Sequence, residues 1–277
     1  MTRWSGRRTN PKADLDSLKT EQLARLLSAN LRCTLDRHEC WRREQCLNLI
    51  PSENVTSAAV RRILGSNLGH RYTAPDHFYL GCKFTDQIED TARRLVCEVF
   101  SSEWADVRPI SGHIADMALL SAFAQRGDKI MAIDRVRRYP GTSEVGYPRI
   151  LGLVNLHFPF DKDRWNIQIE KTIELITNAA PKLVILGASY LLFPHPVQEL
   201  AKVCRESDAK LAYDGSHVMG LIAGGAFQQP LEEGARVLVD STHKSLFGPQ
   251  GGIMAAFNSE GERLEETIFS AINDNAH

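Results

Sequence analysis

The sequence predicts an α/β protein, a three-layer sandwich in which a mainly parallel sheet is covered by helices on both faces. From Asp86 onward, short apolar runs alternate with segments of helical length that carry apolar residues at helical spacing. The apolar runs are continuous rather than alternating with polar residues, which is typical of strands buried on both faces. Because strands separated by helices usually join one parallel sheet, this alternation favours the three-layer architecture.

The individual elements follow from this periodicity in chain order. Leucines at helical spacing predict an amphipathic helix over 14–32, and a second helix is expected over 57–65. Further predicted helices cover 86–100, 114–124, 167–179 and 197–206. The predicted strands cover 105–110, 129–133, 150–156, 183–187, 210–214, 237–241 and 252–257. The last two strands are expected to run antiparallel around the loop between them.

The composition indicates a globular chain and gives no sign of a nucleic-acid or membrane partner. The 277 residues are 43% hydrophobic and 24% charged, with a formal net charge of −1, and they can bury a sizeable core. The arginine clusters are short and separated, so no nucleic-acid partner is predicted. The longest largely apolar run, residues 183–193, is well short of the about 20 residues that span a bilayer, so no membrane partner is expected.

Six cysteines show neither the CxxC pairs of zinc sites nor the density of a disulfide scaffold. Reduced thiols in a cytoplasmic protein are the simplest interpretation, and no metal site is predicted. Residues 1–12 are basic and polar, with no apolar stretch behind them that could act as a secretion signal, and are expected to form a disordered tail. No GxGxxG follows a predicted strand, which disfavours hydride transfer with a dinucleotide.

One lysine stands at the end of a predicted buried strand. Lys244 follows the apolar run 237–241 and precedes a glycine-rich turn. Desolvation disfavours the ammonium form, so a lysine in this place loses its proton more easily and can condense with an aldehyde. Ser241, Thr242 and His243 precede it and offer hydroxyl donors for a phosphate and a ring that can stack. The alternative is a lysine that is merely solvated in a loop.

A carboxylate closes the preceding predicted strand. Asp214 ends the run 210–214, and His217 follows three residues on. At the carboxyl end of a strand in an α/β sheet, a side chain faces the crevice where ligands bind. A pyridine ring acts as an electron sink only while its nitrogen is protonated, and a buried aspartate holds that proton. Asp214 and Lys244 together therefore predict pyridoxal phosphate as cofactor. The alternative is an aspartate that caps the following helix.

These stretches resemble the signature of the serine hydroxymethyltransferase family, whose members are fold-type I pyridoxal phosphate enzymes. The matching stretches, in chain order, are 214–217, 220–224, 241–246 and 248–252. Upstream, residues 49–57 resemble the amino-terminal motif of the family, and residues 110–112 resemble its phosphate-loop segment. The resemblance runs from about Leu47 to the end of the chain and implies the large domain of fold-type I enzymes.

The resemblance also implies a division of the chain and a reaction. Residues 13–70 would form an N-terminal helical arm with the substrate loop, residues 71–277 would form the cofactor-binding large domain, and the small C-terminal domain of the family would be missing. Lys244 would hold pyridoxal phosphate as a Schiff base. The enzyme would interconvert serine and glycine, with tetrahydrofolate as the one-carbon acceptor, and would act as a cytoplasmic homodimer with shared active sites.

The resemblance assigns roles to particular residues. The implied catalytic residues are Lys244, Asp214, His217 and His243. The implied cofactor-binding residues are Ser111, Gly112, His113, Thr142, Ser189, Asp214, His217, Ser241 and Lys244. The implied substrate-binding residues are Ser52, Glu53, Tyr72 and Tyr79, of which the two tyrosines would reach the site of the neighbouring subunit. Capping of a helix by Ser52 or Asn54 and a plain surface position for Ser189 are the alternatives.

The sequence departs from the pattern of the family at several positions. Thr73 and Ala74 replace the glutamate that handles protons in the folate-dependent step, and Thr142 stands where the family has a histidine that stacks on the cofactor ring. His113 replaces a small hydroxyl residue. These departures make a folate-independent aldolase or transaldolase, acting on threonine-like β-hydroxy amino acids, the first alternative function. A truncated, catalytically inactive homologue is the second.

Overall fold

The structure, a computed structural model, describes residues 20–73, 79–133 and 147–268. The chain divides into two compact units between Ile50 and Pro51. This division lies inside the segment 13–70 that the sequence assigns to the N-terminal arm, and the tail predicted over 1–12 lies outside the described residues. Among the helices of the described ranges, none has the length and apolar character of a membrane span.

The described part of the first unit is a long helix with a short continuation. α1 spans Thr20–Cys40 and passes directly into a π-helical turn at Trp41–Gln45. The helix predicted over 14–32 is therefore found in its described part, and it extends further than expected. Residues 33–40 contain neither glycine nor proline, so nothing in them ends the helix. Several of its leucines are exposed: Leu26, Leu27, Leu31 and Leu35.

The second unit begins with short helical segments and continues as an α/β fold. Ser57 caps α2 (Ala58–Leu64) by accepting a hydrogen bond from Val60 N at 3.2 Å, and 3₁₀ turns follow at Asn67–His70 and Leu80–Cys82. The later described helices are α3 (Thr85–Phe100), α4 (Gly112–Phe123), α5 (Tyr147–Leu151), α6 (Ile169–Ala179), α7 (Val197–Glu206), α8 (Met219–Ala223) and α9 (Asn258–Thr267). The described strands are β1 (Trp104–Asp106), β2 (Lys129–Ala132), β3 (Val154–His157), β4 (Phe160–Asp161), β5 (Asn166–Ile167), β6 (Leu183–Leu186), β7 (Lys210–Asp214), β8 (Val237–Ser241) and β9 (Gly252–Ala256).

Seven strands of the described ranges form one sheet, in the order β1-β9-β8-β7-β6-β2-β3, and β4 pairs with β5 separately. The strands from β3 to β8 in this order run parallel to one another, whereas β9 is antiparallel to both β8 and β1. The predicted antiparallel pairing of the last two strands is confirmed, with Ser241 opposite Gly252. The chain between β8 and β9, which carries Lys244, therefore leaves and re-enters the sheet at the same end.

Helices cover both faces of the sheet, which confirms the predicted three-layer α/β fold. One buried cluster contains Phe100 of α3 and Leu200 of α7 together with Leu238 of β8. A second buried cluster contains Leu119 of α4 together with Val237 of β8. Because successive side chains of a strand point to opposite faces, adjacent residues of β8 belong to different cores. The sheet is thus buried on both faces, and the ends of its strands are the part of the sheet at which a ligand site can form.

The predicted strand 150–156 is wrong in its first half. Tyr147–Leu151 is helical, Gly152 follows with a φ of +71°, and β3 begins at Val154. Glycine adopts this left-handed backbone without steric cost and commonly ends a helix in this way. The apolar run therefore contains the end of a helix and the start of a strand, which periodicity alone does not separate.

Candidate active site

The two strands that end in Asp214 and Ser241 lie side by side in the sheet. β7 and β8 are parallel neighbours, with Asp214 opposite Val239. Because neighbouring parallel strands point the same way, the chain segments that follow them leave the sheet at the same edge. The turn after Asp214 and the lysine loop, defined here as residues 242–251, therefore start next to each other.

The carboxylate of Asp214 organises the turn after β7. Asp214 is buried, and its Oδ1 accepts a hydrogen bond from Ser216 N at 3.0 Å. Ser216 Oγ in turn accepts a hydrogen bond from Ser241 N at 3.2 Å, which joins the ends of the two strands. The next helix, α8, has Val218 at its N-cap and no side-chain cap bond. The alternative that Asp214 caps this helix is therefore wrong.

Hydrogen bonds close the lysine loop into a compact turn. Phe247 N donates to Lys244 O at 3.0 Å. Gly248 N donates to Thr242 O at 2.7 Å, and Thr242 Oγ1 donates to Pro249 O at 2.7 Å. These bonds fix the backbone on both sides of Lys244, whose side chain is half-buried. The loop therefore presents the lysine from a defined place rather than from a freely solvated chain.

A glycine lets α8 touch the lysine loop. A Cβ at Gly220 would overlap the carbonyl oxygen of Ser245, so only glycine fits this close approach. Gly220 N donates to Ser245 Oγ at 3.2 Å, and the same hydroxyl donates to Ser216 O at 3.5 Å. The turn after Asp214, the start of α8 and the lysine loop are thus held together by direct contacts.

The predicted helix start at Ser111 lies against the end of β8. Ser111 is the N-cap of α4, and its Oγ accepts a hydrogen bond from Ile114 N at 3.3 Å. A Cβ at Gly112 would lie 2.9 Å from Ser241 Cβ, so glycine lets the helix start approach the strand. Backbone N–H groups at a helix start favour an anion. Ser241 Oγ is buried at this point and has no hydrogen-bond partner among the described residues.

The segment around Asn54, which is distant in sequence, contacts the lysine loop. Asn54 Nδ2 donates to Lys244 O at 3.3 Å, across 190 positions of the chain. This bond brings the segment that carries Ser52 and Glu53 to the loop, with Ser52 half-buried and Glu53 exposed. Because Ser57 provides the side-chain cap of α2, the alternative that Ser52 or Asn54 caps this helix is wrong. The sequence did not predict the contact of Asn54 with the lysine loop, because no local pattern indicates it.

Other predicted site residues lie in exposed positions or outside the described ranges. Tyr72 and Tyr79 are exposed, and their rings face each other with centroids 5.7 Å apart. His113 and Ser189 are exposed as well, so the surface alternative for Ser189 agrees with its position. Thr142 lies outside the described residues. The structure therefore brings the Ser111, Asp214 and Lys244 stretches together, whereas Tyr72, Tyr79, His113 and Ser189 present exposed side chains.

Two histidines flank the central pair. His217 follows the turn after Asp214, His243 precedes Lys244, and both side chains are half-buried. The Nδ1 of His243 is buried and has no hydrogen-bond partner in the described part of the chain. Within the ranges that the structure describes, no group of three or more histidine, cysteine, aspartate or glutamate side chains could hold a metal ion. The two half-buried imidazoles thus stand next in sequence to the turn after Asp214 and to Lys244.

Sequence reasoning missed a second buried acid beside the site. Asp240 lies in β8, one residue before Ser241, and is fully buried. Neither of its carboxylate oxygens has a hydrogen-bond partner among the residues described. Burial raises the pKa of Asp240 well above its usual value, and the negative charge of Asp214 raises it further. The sequence does contain an indication of this buried acid, because Asp240 interrupts the apolar run before the lysine loop.

Replacing Asp240 with asparagine is expected to stabilise the protein more at high pH than at low pH. An acid whose pKa is raised by folding contributes its stability below the unfolded pKa of 3.8 and loses it as the pH rises toward the folded pKa. Each unit of that rise corresponds to about 1.4 kcal/mol of unfolding free energy. Urea unfolding of both proteins from about pH 4 to about pH 9 measures the difference. Asp163→Asn, at an exposed position, is the matched control. A gain from Asp240→Asn that does not grow with pH would speak against a buried acid with a raised pKa.

Fold and site geometry together define a class of protein. The sheet and its covering helices are those of the large domain of fold-type I pyridoxal phosphate enzymes. Residues 31–275 match the family model described as serine hydroxymethyltransferase. The chain is 41% identical over 235 residues to a serine hydroxymethyltransferase of Methanobrevibacter smithii, and 42% identical over 239 residues to one of Methanocella arvoryzae. The chain therefore belongs to the serine hydroxymethyltransferase family.

The known relatives are longer than this chain. Both of these matches cover 83% of this chain and 56% of the relative, so the chain spans about half the length of the curated relatives it matches. A solved structure of an L-threonine transaldolase from Pseudomonas fluorescens superimposes with a TM-score of 0.81 at 28% sequence identity. That match covers 93% of this chain and 60% of the transaldolase. Both kinds of relative extend beyond the part that this chain matches.

Proposed function

We propose that this chain forms the cofactor-binding part of a pyridoxal phosphate-dependent hydroxymethyltransferase, which interconverts serine and glycine with tetrahydrofolate as the one-carbon acceptor. The observation that carries the proposal is the placement of Asp214 and the lysine loop at one edge of the sheet, after neighbouring parallel strands. Ligands of open α/β sheets bind outside the carboxyl ends of the strands. Membership of the family supports the same reaction.

The residues present fit pyridoxal phosphate. Lys244 offers an amine for its aldehyde, and the buried Asp214 offers a carboxylate for its ring nitrogen. The helix start at Ser111 and Gly112, together with the buried hydroxyl of Ser241, offers donors for its phosphate. When bound, the cofactor supplies an electron sink for the bond that breaks at the Cα of the amino acid.

The side chains around the cofactor have distinct tasks in this proposal. Asp214 keeps the ring nitrogen protonated, because a buried carboxylate forms a strong charge-assisted hydrogen bond with it. His217 and His243 orient the ring or move a proton, one from the turn after Asp214 and the other from the lysine loop. Further cofactor contacts are assigned to His113, Thr142 and Ser189.

The substrate is a small amino acid that lies between the lysine loop and the segment of Asn54. Ser52 and Glu53 are assigned to bind it, because the hydrogen bond from Asn54 to Lys244 O holds their segment at the loop. The half-buried hydroxyl of Ser52 suits a carboxylate, to which it can donate a hydrogen bond. The exposed carboxylate of Glu53 suits a group that donates, such as the hydroxyl of serine.

The proposed enzyme is a homodimer in which the two subunits share their active sites. It is proposed to act in the cytoplasm. Tyr72 and Tyr79 form an exposed aromatic pair, which is suited to reach the site of a second copy. Exposed apolar side chains also continue from the residue before α3 along that helix: Phe84, Ile88, Leu95 and Val99. An apolar stripe of this kind on a soluble fold supports a contact with another protein surface.

A folate-independent aldolase or transaldolase acting on threonine-like substrates is the second candidate. Its support is the structural match to an L-threonine transaldolase, together with Thr73 and Ala74 in place of the expected glutamate. Without that carboxylate, the folate-dependent step lacks its proton-handling group. The same cofactor site serves both reactions, so the two candidates differ in the fate of the carbon unit that leaves the amino acid. Tetrahydrofolate accepts it in the first reaction, and it leaves as a free aldehyde in the second.

Assays on the purified protein supplied with pyridoxal phosphate separate these candidates. Glycine release from serine that requires tetrahydrofolate supports the hydroxymethyltransferase. Acetaldehyde release from threonine without folate supports the aldolase or transaldolase. A protein without any absorbance band that borohydride bleaches, and without turnover of either amino acid, is the inactive homologue.

A further inference from the structure

A buried polar network lies next to Asp214 and contains none of the residues assigned to the reaction. His195, which precedes α7, is 5% exposed, and its backbone N–H donates to Gln228 Oε1 at 2.8 Å. Gln228 Nε2 donates back to His195 O at 3.1 Å. Tyr213, the fully buried residue before Asp214, donates from its hydroxyl to the same Gln228 Oε1 at 3.0 Å. The network thus ties His195 to the end of β7.

The ring of His195 reaches the end of the neighbouring strand β6. Gly187, the residue after β6, donates from its backbone N–H to His195 Nδ1 at 3.3 Å. Since Nδ1 accepts this bond, the ring carries its proton on Nε2 and is neutral. Burial lowers the pKa of His195 to about 4, which keeps the ring neutral at physiological pH. The acceptor for Gly187 is therefore always present under these conditions.

Gly187 in turn lies against the main chain of Asp214. Its φ of +111° is a backbone conformation that residues with side chains rarely adopt. A Cβ at Gly187 would overlap the carbonyl oxygen of Asp214 and lie 3.1 Å from Asp214 Cβ. The two backbones are therefore in direct contact, so the turn at Gly187 is part of the surface against which the Asp214 main chain packs.

We propose that His195 is a positioning residue of the active site: by accepting the hydrogen bond of Gly187, it holds this turn against Asp214 and fixes where the Asp214 carboxylate meets the cofactor. The inference rests on the proposed function, because that function gives Asp214 the task of holding the ring nitrogen. His195 acts through Gly187 and not on the reacting atoms. Removal of its acceptor would leave a buried N–H group without a partner, which favours displacement of the turn.

Two substitutions at one position separate this role from simple filling of the core. His195→Asn keeps an acceptor near the position of Nδ1, whereas His195→Leu keeps a similar volume without any acceptor. The control is Thr172→Val in α6, which removes the hydrogen bond that the buried Thr172 hydroxyl donates to Gln168 O at 2.8 Å. One readout is the dissociation constant for pyridoxal phosphate, from absorbance titration. The other is amide hydrogen exchange of residues 183–189 and 210–217 in the full chain without cofactor.

We expect His195→Leu to weaken pyridoxal phosphate binding by about tenfold or more and to speed amide exchange in both segments. We expect His195→Asn to keep most of the affinity for pyridoxal phosphate and most of the protection from exchange. Thr172→Val is expected to lower stability without changing the affinity. Equal affinity and equal exchange in His195→Leu and the unmodified protein would overturn the proposal. If the unmodified protein binds no pyridoxal phosphate, the proposed function fails, and the exchange comparison then decides by itself whether His195 holds the turn.

Discussion

Replacing Lys244 with alanine is expected to remove the borohydride-sensitive absorbance band and to lower amino acid turnover by at least about a thousandfold. Alanine has no amine that can bond to the aldehyde of the cofactor. The lysine loop itself should keep its shape, because the hydrogen bond from Phe247 N is accepted by the backbone oxygen of residue 244. Absorbance spectra before and after borohydride, and turnover of serine and threonine, measure the effect.

A second lysine provides the control for this experiment. Lys182 is exposed and precedes β6, away from the lysine loop, so Lys182→Ala is expected to keep both the band and the rate. Far-ultraviolet circular dichroism of both variants checks that the fold is retained. A borohydride-sensitive band that persists in Lys244→Ala would mean that a different amine holds the cofactor.

Asp214→Asn is expected to weaken pyridoxal phosphate binding by about tenfold or more and to lower turnover by about a hundredfold. The amide is neutral, so it no longer stabilises the proton on the ring nitrogen, and the ring becomes a poorer electron sink. The turn should survive, since an asparagine oxygen can still accept the hydrogen bond that Ser216 N donates at 3.0 Å. Cofactor titration and turnover rates give the two quantities.

Asp214→Glu is the matched variant for the same position. It retains the negative charge but moves it outward by one methylene group, so we expect an intermediate loss of affinity and rate. An Asp214→Asn protein with unchanged affinity and rate would exclude Asp214 as the partner of the ring nitrogen. In that case Asp240, the other buried acid beside the site, becomes the next residue to replace.

Much of the fold follows from local signals in the sequence. The helix at Val197–Glu206 and the strand at Val237–Ser241 have the predicted bounds, because each combines a clear apolar pattern with a turn at both ends. The run 150–156 does not have the predicted bounds, because Gly152 ends a helix inside a stretch that is as apolar as a strand. The position of β1 beside β9 is a contact between distant parts of the chain, and no local pattern signals it.

The site is predictable where its chemistry is concentrated in one short stretch. Asp214 and Lys244 follow apolar runs and are flanked by turn residues, so each stands out from the amino-acid pattern alone. Asn54 and His195 do not stand out, because their contacts arise only when distant segments pack together. The requirement for glycine at 187 likewise comes from the approach of the Asp214 backbone, which the sequence does not reveal.

Borohydride reduction followed by mass analysis of peptides tests most directly whether Lys244 holds the cofactor. The protein is saturated with pyridoxal phosphate, reduced, digested and searched for the mass of the reduced cofactor on lysine. We predict that the label lies on the peptide that contains Lys244 and on no other lysine peptide. A label on a different lysine, or no label at all on saturated protein, would contradict the assignment of Lys244.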